Sequence, residues 1–222
     1  MKYHQGFYGK YGKRFLDVVF SGLFILLFFW LFAVLAVLVR CKLGSPVIYK
    51  ARRPGKIDPK TGKEQIFLLY KFRSMTNETD ADGKLLPDER RLTRFGRIMR
   101  AASLDELPEI VNIFKGDMSF VGPRPLAEIY LKYYTEEEHH RHDVRPGLTG
   151  LAQVSGRNDL SWEQKFAFDL QYIEKMSFAQ DVRILFNTVI KVFKREGIGQ
   201  GEEAPVSLHI ERAGREEPAG KE

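Results

Sequence analysis

Residues 18–39 are hydrophobic at every position except Ser21 and Gly22. Roughly 20 apolar residues cover a bilayer core as a helix, so this run reads as a membrane segment. It is too long for a cleaved signal peptide and passes into Val39-Arg-Cys-Lys-Leu-Gly44 instead of a small-residue cleavage site. Beyond it the pattern shortens. Residues 46–51 and 65–70 read as two strands around a Pro/Gly/Lys-rich loop, 53–63, which predicts a β-hairpin. Residues 76–89 are acidic and polar, the composition of a surface loop, and a basic helix is expected over about 91–100. Ser103 with Glu106 three residues on has capping-box spacing and predicts a helix from Leu104 to about Lys115-Gly116, with Pro108 deleting one bond in its second turn. Ser161-Trp-Glu-Gln164 and Ser177-Phe-Ala-Gln180 open two more helices in the same way. In the second, Phe178, Val182, Leu185, Phe186, Val189 and Phe193 recur at helical spacing, a pattern that suits a membrane interface and a core face alike. The stretch after Gly197 has few large apolar residues outside Val206-Ser-Leu-His-Ile210 and reads as a disordered tail.

Charge sets the orientation. Lys10, Lys13 and Arg14 precede the apolar run, and Arg40, Lys42, Lys50, Arg52 and Arg53 follow it. A single crossing would leave one basic cluster outside, whereas a re-entrant helix keeps both at the cytoplasmic surface. No Pro marks a bend, so a crossing of about 33 Å and two halves of about 16 Å are both possible by length, and the flanking charges select the re-entrant form. The 222 residues carry a net charge of +6, which implies acidic partners, and one cysteine, Cys41, which excludes an intrachain disulfide and a thiolate metal cage. The chain divides as a membrane-associated segment, 1–44, a domain, 45–199, expected on the cytoplasmic side, and a tail, 200–222.

The candidate chemistry is that of phosphate. In Ala101-Ala-Ser-Leu-Asp-Glu-Leu-Pro108 the adjacent Asp105 and Glu106 stand at the expected helix start, where free N–H groups and the helix dipole favour an ionised carboxylate. Both could be caps alone, or Asp105 could be a nucleophile. Arginines recur beside Gly and Pro in Arg53-Pro-Gly55, Gly122-Pro-Arg-Pro125, Arg145-Pro-Gly147 and Gly156-Arg157, turns that leave bidentate phosphate-binding forks exposed. Lys71 and Arg73 follow the second strand and add two more cations. The cluster Glu136-Glu-Glu-His-His-Arg-His-Asp143 lacks a zinc spacing and reads as a solvated helix face. There is no P-loop, G-x-G-x-x-G or G-x-S-x-G element, and Phe67, Tyr70 and Phe72 make a poor stacking platform, so no nucleic-acid partner is expected.

These motifs, in order, are those of a known family. From about Lys13 to Gly197, through Lys13-Arg-Phe-Leu-Asp17, Arg53-Pro-Gly55, Tyr70-Lys-Phe-Arg-Ser-Met75, Ser103-Leu-Asp-Glu-Leu-Pro108, Lys115-Gly-Asp-Met-Ser-Phe-Val-Gly-Pro-Arg-Pro125, Val144-Arg-Pro-Gly147 and Gly150-Leu-Ala-Gln-Val-Ser-Gly-Arg-Asn158, the chain resembles the small monotopic phosphoglycosyl transferases. The resemblance implies an α+β fold: a monotopic membrane protein with an N-terminal re-entrant membrane helix, amphipathic interfacial helices and a small β-hairpin. It implies transfer of a sugar-1-phosphate from a UDP-sugar to polyprenol (undecaprenyl) phosphate, with UMP released, as the first membrane step of glycoconjugate assembly. Asp105 would be the nucleophile, forming an aspartyl-phosphosugar, and Glu106 would hold Mg²⁺. Arg100, Arg124, Arg145 and Arg157 would contact phosphate or nucleotide, with Lys71 and Arg73 behind them, and Asp169 matches a family acid that would bind substrate. Residues 45–199 would be the catalytic domain. The implied location is the cytoplasmic face of the bacterial inner membrane, in contact with membrane lipid, and a homo-oligomer is left open. In one respect the chain departs from the pattern: Phe29-Trp30 stands where the family carries a Ser-Pro break. Two rivals remain: the same chemistry on a hexose for capsule or exopolysaccharide, and a basic membrane-anchored binding protein in which Asp105 and Glu106 are caps only.

Overall fold

The computed structural model describes residues 6–156, 160–194 and 207–213. Helix α1, Lys13–Leu43, contains the whole apolar run and is helical without interruption. It ends at Gly44, whose φ of 80° favours glycine. One stripe of α1 faces the rest of the protein. Lys13, Asp17, Ser21, Leu35 and Val39 are buried on it, while Phe20, Leu26, Phe29, Trp30 and Val37 point away and are exposed.

Strands β1 (Ile48–Ile57) and β2 (Glu64–Phe72) form the expected antiparallel hairpin, from Ile48 opposite Phe72 to Pro54 opposite Ile66. Arg53-Pro-Gly55 lies inside β1 and not in a turn; a two-stranded ribbon consists of edges only, where a missing Pro N–H is tolerated. Short helix α2 (Asp88–Arg91) precedes α3 (Arg94–Ala101), which is capped by Thr93. The single helix expected from Leu104 is instead a 3-10 turn, Leu104–Glu106, followed by α4, Glu109–Lys115. Ser103 is no N-cap: its φ of 53° is left-handed and its side chain caps nothing. It serves as the left-handed exit of α3, and Pro108, which has no N–H to contribute, precedes the first turn of α4. The far end is as expected, at Lys115 with Gly116 at φ 98°.

Strands β3 (Ser119–Val121) and β4 (Gly147–Thr149) pair in parallel. Between them lie a 3-10 stretch, Glu128–Tyr133, helix α5 (Glu136–His139) and a further 3-10 turn, His140–Asp143. This corrects the expected solvated face: Glu138, Arg141 and His142 are buried, each with a polar partner. Helix α6 (Leu151–Ser155), α7 (Trp162–Glu174) with its full Ser161 capping box, and α8 (Phe178–Lys194) complete the domain. Among the described side chains of α8 only Asp181 and Ile184 are buried, and Phe178, Val182, Leu185, Phe186 and Val189 are exposed, so this part of its apolar stripe is not a core face. The tail holds a last helix, α9 (Leu208–Ala213), with Leu208 fully buried against Trp162 and Phe166. Residues 208–213 are thus helical where a disordered tail was expected, docked by Leu208 and by Arg212 on Glu138; the rest of the tail lies outside the described residues.

The core joins the membrane helix to the domain along its length. Phe24 and Ile25 pack on Ile110 and Ile113 of α4, and Leu35 and Val39 on Phe72 and Met99. Near the N-terminus, Lys13 meets Asp181 of α8 at 2.5 Å, and Tyr8 donates to the same carboxylate at 2.6 Å.

Candidate functional site

The carboxylate pair is presented by backbone geometry. Helix α3 is brought against the end of β2 at Gly96, where a Cβ would stand 1.8 Å from the Ser74 carbonyl oxygen. Arg100 on the same helix donates to Ser74 Oγ at 3.0 Å, and the reversal at Ser103 then delivers Asp105 and Glu106 beside β2. From β2, Lys71 Nζ reaches Glu106 Oε1 at 2.7 Å and Glu109 Oε1 at 3.2 Å. From the loop after β3, Arg124 donates to the same Glu106 oxygen at 2.9 Å. That loop is fixed by close backbone crossing, since a Cβ on Gly147 would lie 2.1 Å from the Gly122 nitrogen. Two separate motifs therefore put their cations on one carboxylate.

Electrostatics divide the acids. Burial pushes Glu106 up, but Arg124 and Lys71 outweigh it and bring it down to about 2. Glu109 is raised to about 7 by burial and by the Glu106 charge, against the pull of Lys71. Asp105 is also raised, first by burial and then by Glu106, with Lys71 and Arg100 opposing. This reverses the expectation of a carboxylate ionised by a helix start, because Asp105 sits in a 3-10 turn ahead of α4 and is 8% exposed. Neighbouring cations, not a helix dipole, favour its charged form. Arg124 is held above its usual range by Glu106.

Beside this group lies a cleft of about 240 Å³ whose lining combines the charged side chains of Arg53, Lys71, Glu109 and Arg124 with Leu126, Tyr130 and Trp162. Asp105 and Glu106 adjoin it through Lys71 and Arg124 without lining it. Burial lowers Arg53, whose Nε is buried with no protein partner among the described residues, while Glu109 in the same cleft supports its charged form. Such an arrangement binds anions, and the polar and aromatic walls suit a phosphate attached to a ring.

Among the expected site residues, Asp105, Glu106, Lys71, Arg100 and Arg124 come together. Three others do not join them. Arg73 is buried and donates to the carbonyls of Leu43 and Ser45, holding the C-terminal end of α1. Arg145 donates to the Gly116 carbonyl at 2.8 Å, and burial lowers its pKa. Asp169 is buried in an ion pair with Arg141 at 2.7 Å, and Arg141 donates in turn to the Arg124 carbonyl at 2.8 Å. Asp169 is thus linked to the Arg124 backbone through Arg141. Arg157 lies outside the described residues. Glu109 and Tyr130 belong to the cleft and carried no recognisable signal, while Arg53 was visible only as one of several Gly/Pro-flanked arginines.

The neighbouring carboxylates of Asp105 and Glu106 are the donor type a hard cation takes, and one Glu106 oxygen already receives Lys71 and Arg124. Among the described residues no group of three His, Cys, Asp or Glu side chains could hold a metal by itself.

Comparison with known proteins gives concordant results. A family model described as bacterial sugar transferase matches residues 8–195. The chain is 54% identical over 162 residues to the uncharacterized sugar transferase EpsL of Bacillus subtilis, covering 73% of this chain and 77% of that protein. It is 38% identical over 207 residues to the exopolysaccharide production protein ExoY of Rhizobium meliloti, covering 85% and 88%. It is 37% identical over 187 residues to a UDP-glucose:undecaprenyl-phosphate glucose-1-phosphate transferase of Caulobacter vibrioides, covering 80% and 68%.

Proposed function

The chain belongs to the bacterial sugar transferase family, and from that premise we propose that it transfers a sugar-1-phosphate from a UDP-sugar to undecaprenyl phosphate, releasing UMP. One observation carries the reading: Lys71 and Arg124 converge on Glu106 beside the buried Asp105, at the edge of a cleft that also presents Arg53. An oxygen of Asp105 attacks the β-phosphorus of the UDP-sugar, the bond to the bridging oxygen breaks, and UMP leaves. In this reading Arg124 and Lys71, the cations beside the carboxylate pair, stabilise the charge of the departing phosphate. A phosphate oxygen of the polyprenol phosphate then attacks the same phosphorus and the carboxylate departs, giving polyprenyl-diphospho-sugar. The second nucleophile is already an anion and needs no general base. Glu106 is the residue that would hold Mg²⁺, and the ion would neutralise diphosphate charge.

The relatives' names favour the hexose reading: one is a glucose-1-phosphate transferase and another serves exopolysaccharide production. We therefore assign UDP-hexose as the donor and polysaccharide initiation as the role. Packing favours a membrane helix that does not cross. Lys13 and Val39 of α1 are both bound to the same domain, about 39 Å apart along an α-helix at 1.5 Å per residue. A crossing helix would have to leave that domain for the width of the bilayer. The exposed stripes of α1 and α8 instead supply an apolar surface for one leaflet, with the site on the cytoplasmic side.

The test is UMP release from a panel of UDP-sugars in nanodiscs, with and without undecaprenyl phosphate. Release that depends on the lipid phosphate, together with a phosphosugar mass on the peptide bearing Asp105, supports the reading. A binding protein without turnover would give neither.

A further inference from the structure

Helix α9 lies outside the residues 8–195 matched by the family model, yet it packs directly on two residues that line the cleft, Tyr130 and Trp162. Leu208 is fully buried with Trp162 and Phe166. The His209 ring stacks on Tyr130 with centroids 5.8 Å apart and planes at 29°, and Tyr130 meets Trp162 edge-on at 5.5 Å. Tyr130 and Trp162 are the aromatic residues lining the same cleft as Arg53, Lys71 and Arg124. The helix is locked from behind. Arg212 donates to both oxygens of Glu138, at 2.6 and 2.7 Å, and to the Tyr133 carbonyl at 2.6 Å, and Glu138 is itself held by the Thr135 capping box.

From these contacts we infer that α9 is a working part of the substrate site: it clamps Tyr130 and Trp162 as a rigid wall and thereby sets the affinity for the ring portion of the nucleotide-sugar. The inference rests on the function proposed above. With the diphosphate taken by the cations of the cleft, Tyr130 and Trp162 are the lining residues that suit what it is attached to, a base or a sugar ring. His209 touches neither substrate phosphate nor the carboxylates; it is a positioning residue for Tyr130. A wall contact with a ring that does not react is made equally before and during the chemical step, so its loss raises KM and leaves kcat in place.

The experiment uses the full chain in nanodiscs with three variants. Leu208→Asp undocks the helix, His209→Ala removes only the stack, and His209→Phe restores an aromatic ring on Tyr130. For His209→Ala the expected result is a KM for UDP-glucose raised by about three- to tenfold with kcat within about twofold of wild type, and recovery in His209→Phe. Calorimetry with UDP and UDP-glucose gives a second readout that needs no turnover. Equal weakening of both assigns the wall to the base, and weakening of UDP-glucose alone assigns it to the sugar; either supports the role of α9. Wild-type KM and ligand affinity in both His209→Ala and a folded Leu208→Asp would overturn it. A wild type that binds UDP in an α9-dependent way but releases no UMP would remove the proposed function and leave the role of α9 standing.

Discussion

Asp17 of the membrane helix accepts a hydrogen bond from Ser119 Oγ at 3.0 Å, and the same oxygen takes the Phe120 N–H at 3.1 Å. A buried carboxylate in the first turns of an apolar helix is thereby the point at which β3, and the loop carrying Arg124, is tied to the membrane segment. Removing it orphans two buried donors at a cost of about 1–3 kcal/mol each. Asp17→Ala is therefore expected to lower the unfolding midpoint in detergent markedly, and Asp17→Asn, which keeps an acceptor oxygen, to lower it less. Equal midpoints for the two variants would contradict this.

Asp105→Asn is expected to abolish UMP release by at least about a thousandfold, since an amide cannot form the acyl-phosphate. Its fold should persist, because no α-helix begins on the Asp105 side chain. Intact-protein mass spectrometry after incubation with UDP-glucose alone checks both points: the wild type gains a phosphosugar mass and the variant does not.

Activity is expected to disappear in excess chelator and to return with Mg²⁺. Glu106→Gln should raise the half-saturating metal concentration about tenfold, as a charged oxygen donor becomes neutral. Because Lys71 and Arg124 both rest on that side chain, kcat should fall as well. A metal titration of rate separates the two effects, and an unchanged half-saturation would dismiss Glu106 as a ligand.

What could be read from the sequence, and what could not, follows from how local each feature is. The hairpin, the Ser161 capping box and the Gly116 stop rest on neighbouring residues, and all three stand. Asp105, Glu106, Lys71 and Arg124 were legible as motif residues, but their convergence on one oxygen was not, because it depends on two loops meeting in space. Ser103 misled because capping-box spacing does not report backbone handedness, and the chain needed a left-handed residue to leave α3. Asp169 and Arg73 look like any other charged side chain in sequence; only burial reveals that each is spent on an internal partner. Helix α9 escaped because its docking is carried by Leu208 and Arg212 toward residues far along the chain.

Glu109 gives the protein a pH-dependent stability of definite sign. Its folded value, about 7, lies above the ordinary carboxylate value because burial and the Glu106 charge outweigh Lys71. The folded state therefore holds more protons than the unfolded chain between about pH 4.3 and 7. The corresponding stability is complete below that window and is lost as pH rises through it. Glu106 acts oppositely: held at about 2, it contributes stability that is lost as pH falls from the unfolded carboxylate value toward 2. Denaturant unfolding in chelator should show a decrease on the order of 2 kcal/mol from pH 5 to pH 8. Glu109→Gln should abolish most of that slope, and an undiminished slope would assign it to other groups.

The arrangement of α1 predicts the side on which its N-terminus lies. The helix is fastened near its start by Lys13 to Asp181, in its middle by Phe24 and Ile25 to α4, and near its end by Leu35 and Val39 to Phe72 and Met99. A crossing of about 30 Å of hydrocarbon would break at least one of these attachments or draw the domain into the bilayer. Breaking the first is costly, because Lys13 and Asp181 are both buried and would each lose an ionic partner. Trp30 is compatible with lipid contact, since its Nε1–H donates to the Leu27 carbonyl at 3.1 Å and carries no unsatisfied donor into the membrane. Lys10 and Lys60 should therefore share a compartment; both are exposed, on opposite sides of α1 in sequence. Single cysteines at these positions in a Cys41→Ser background are expected to resist an impermeant maleimide in intact cells and to react together once the cells are opened. Labelling of position 10 alone from outside would establish a straight crossing, and with it that the contacts of Lys13 and Asp181 do not hold in the membrane.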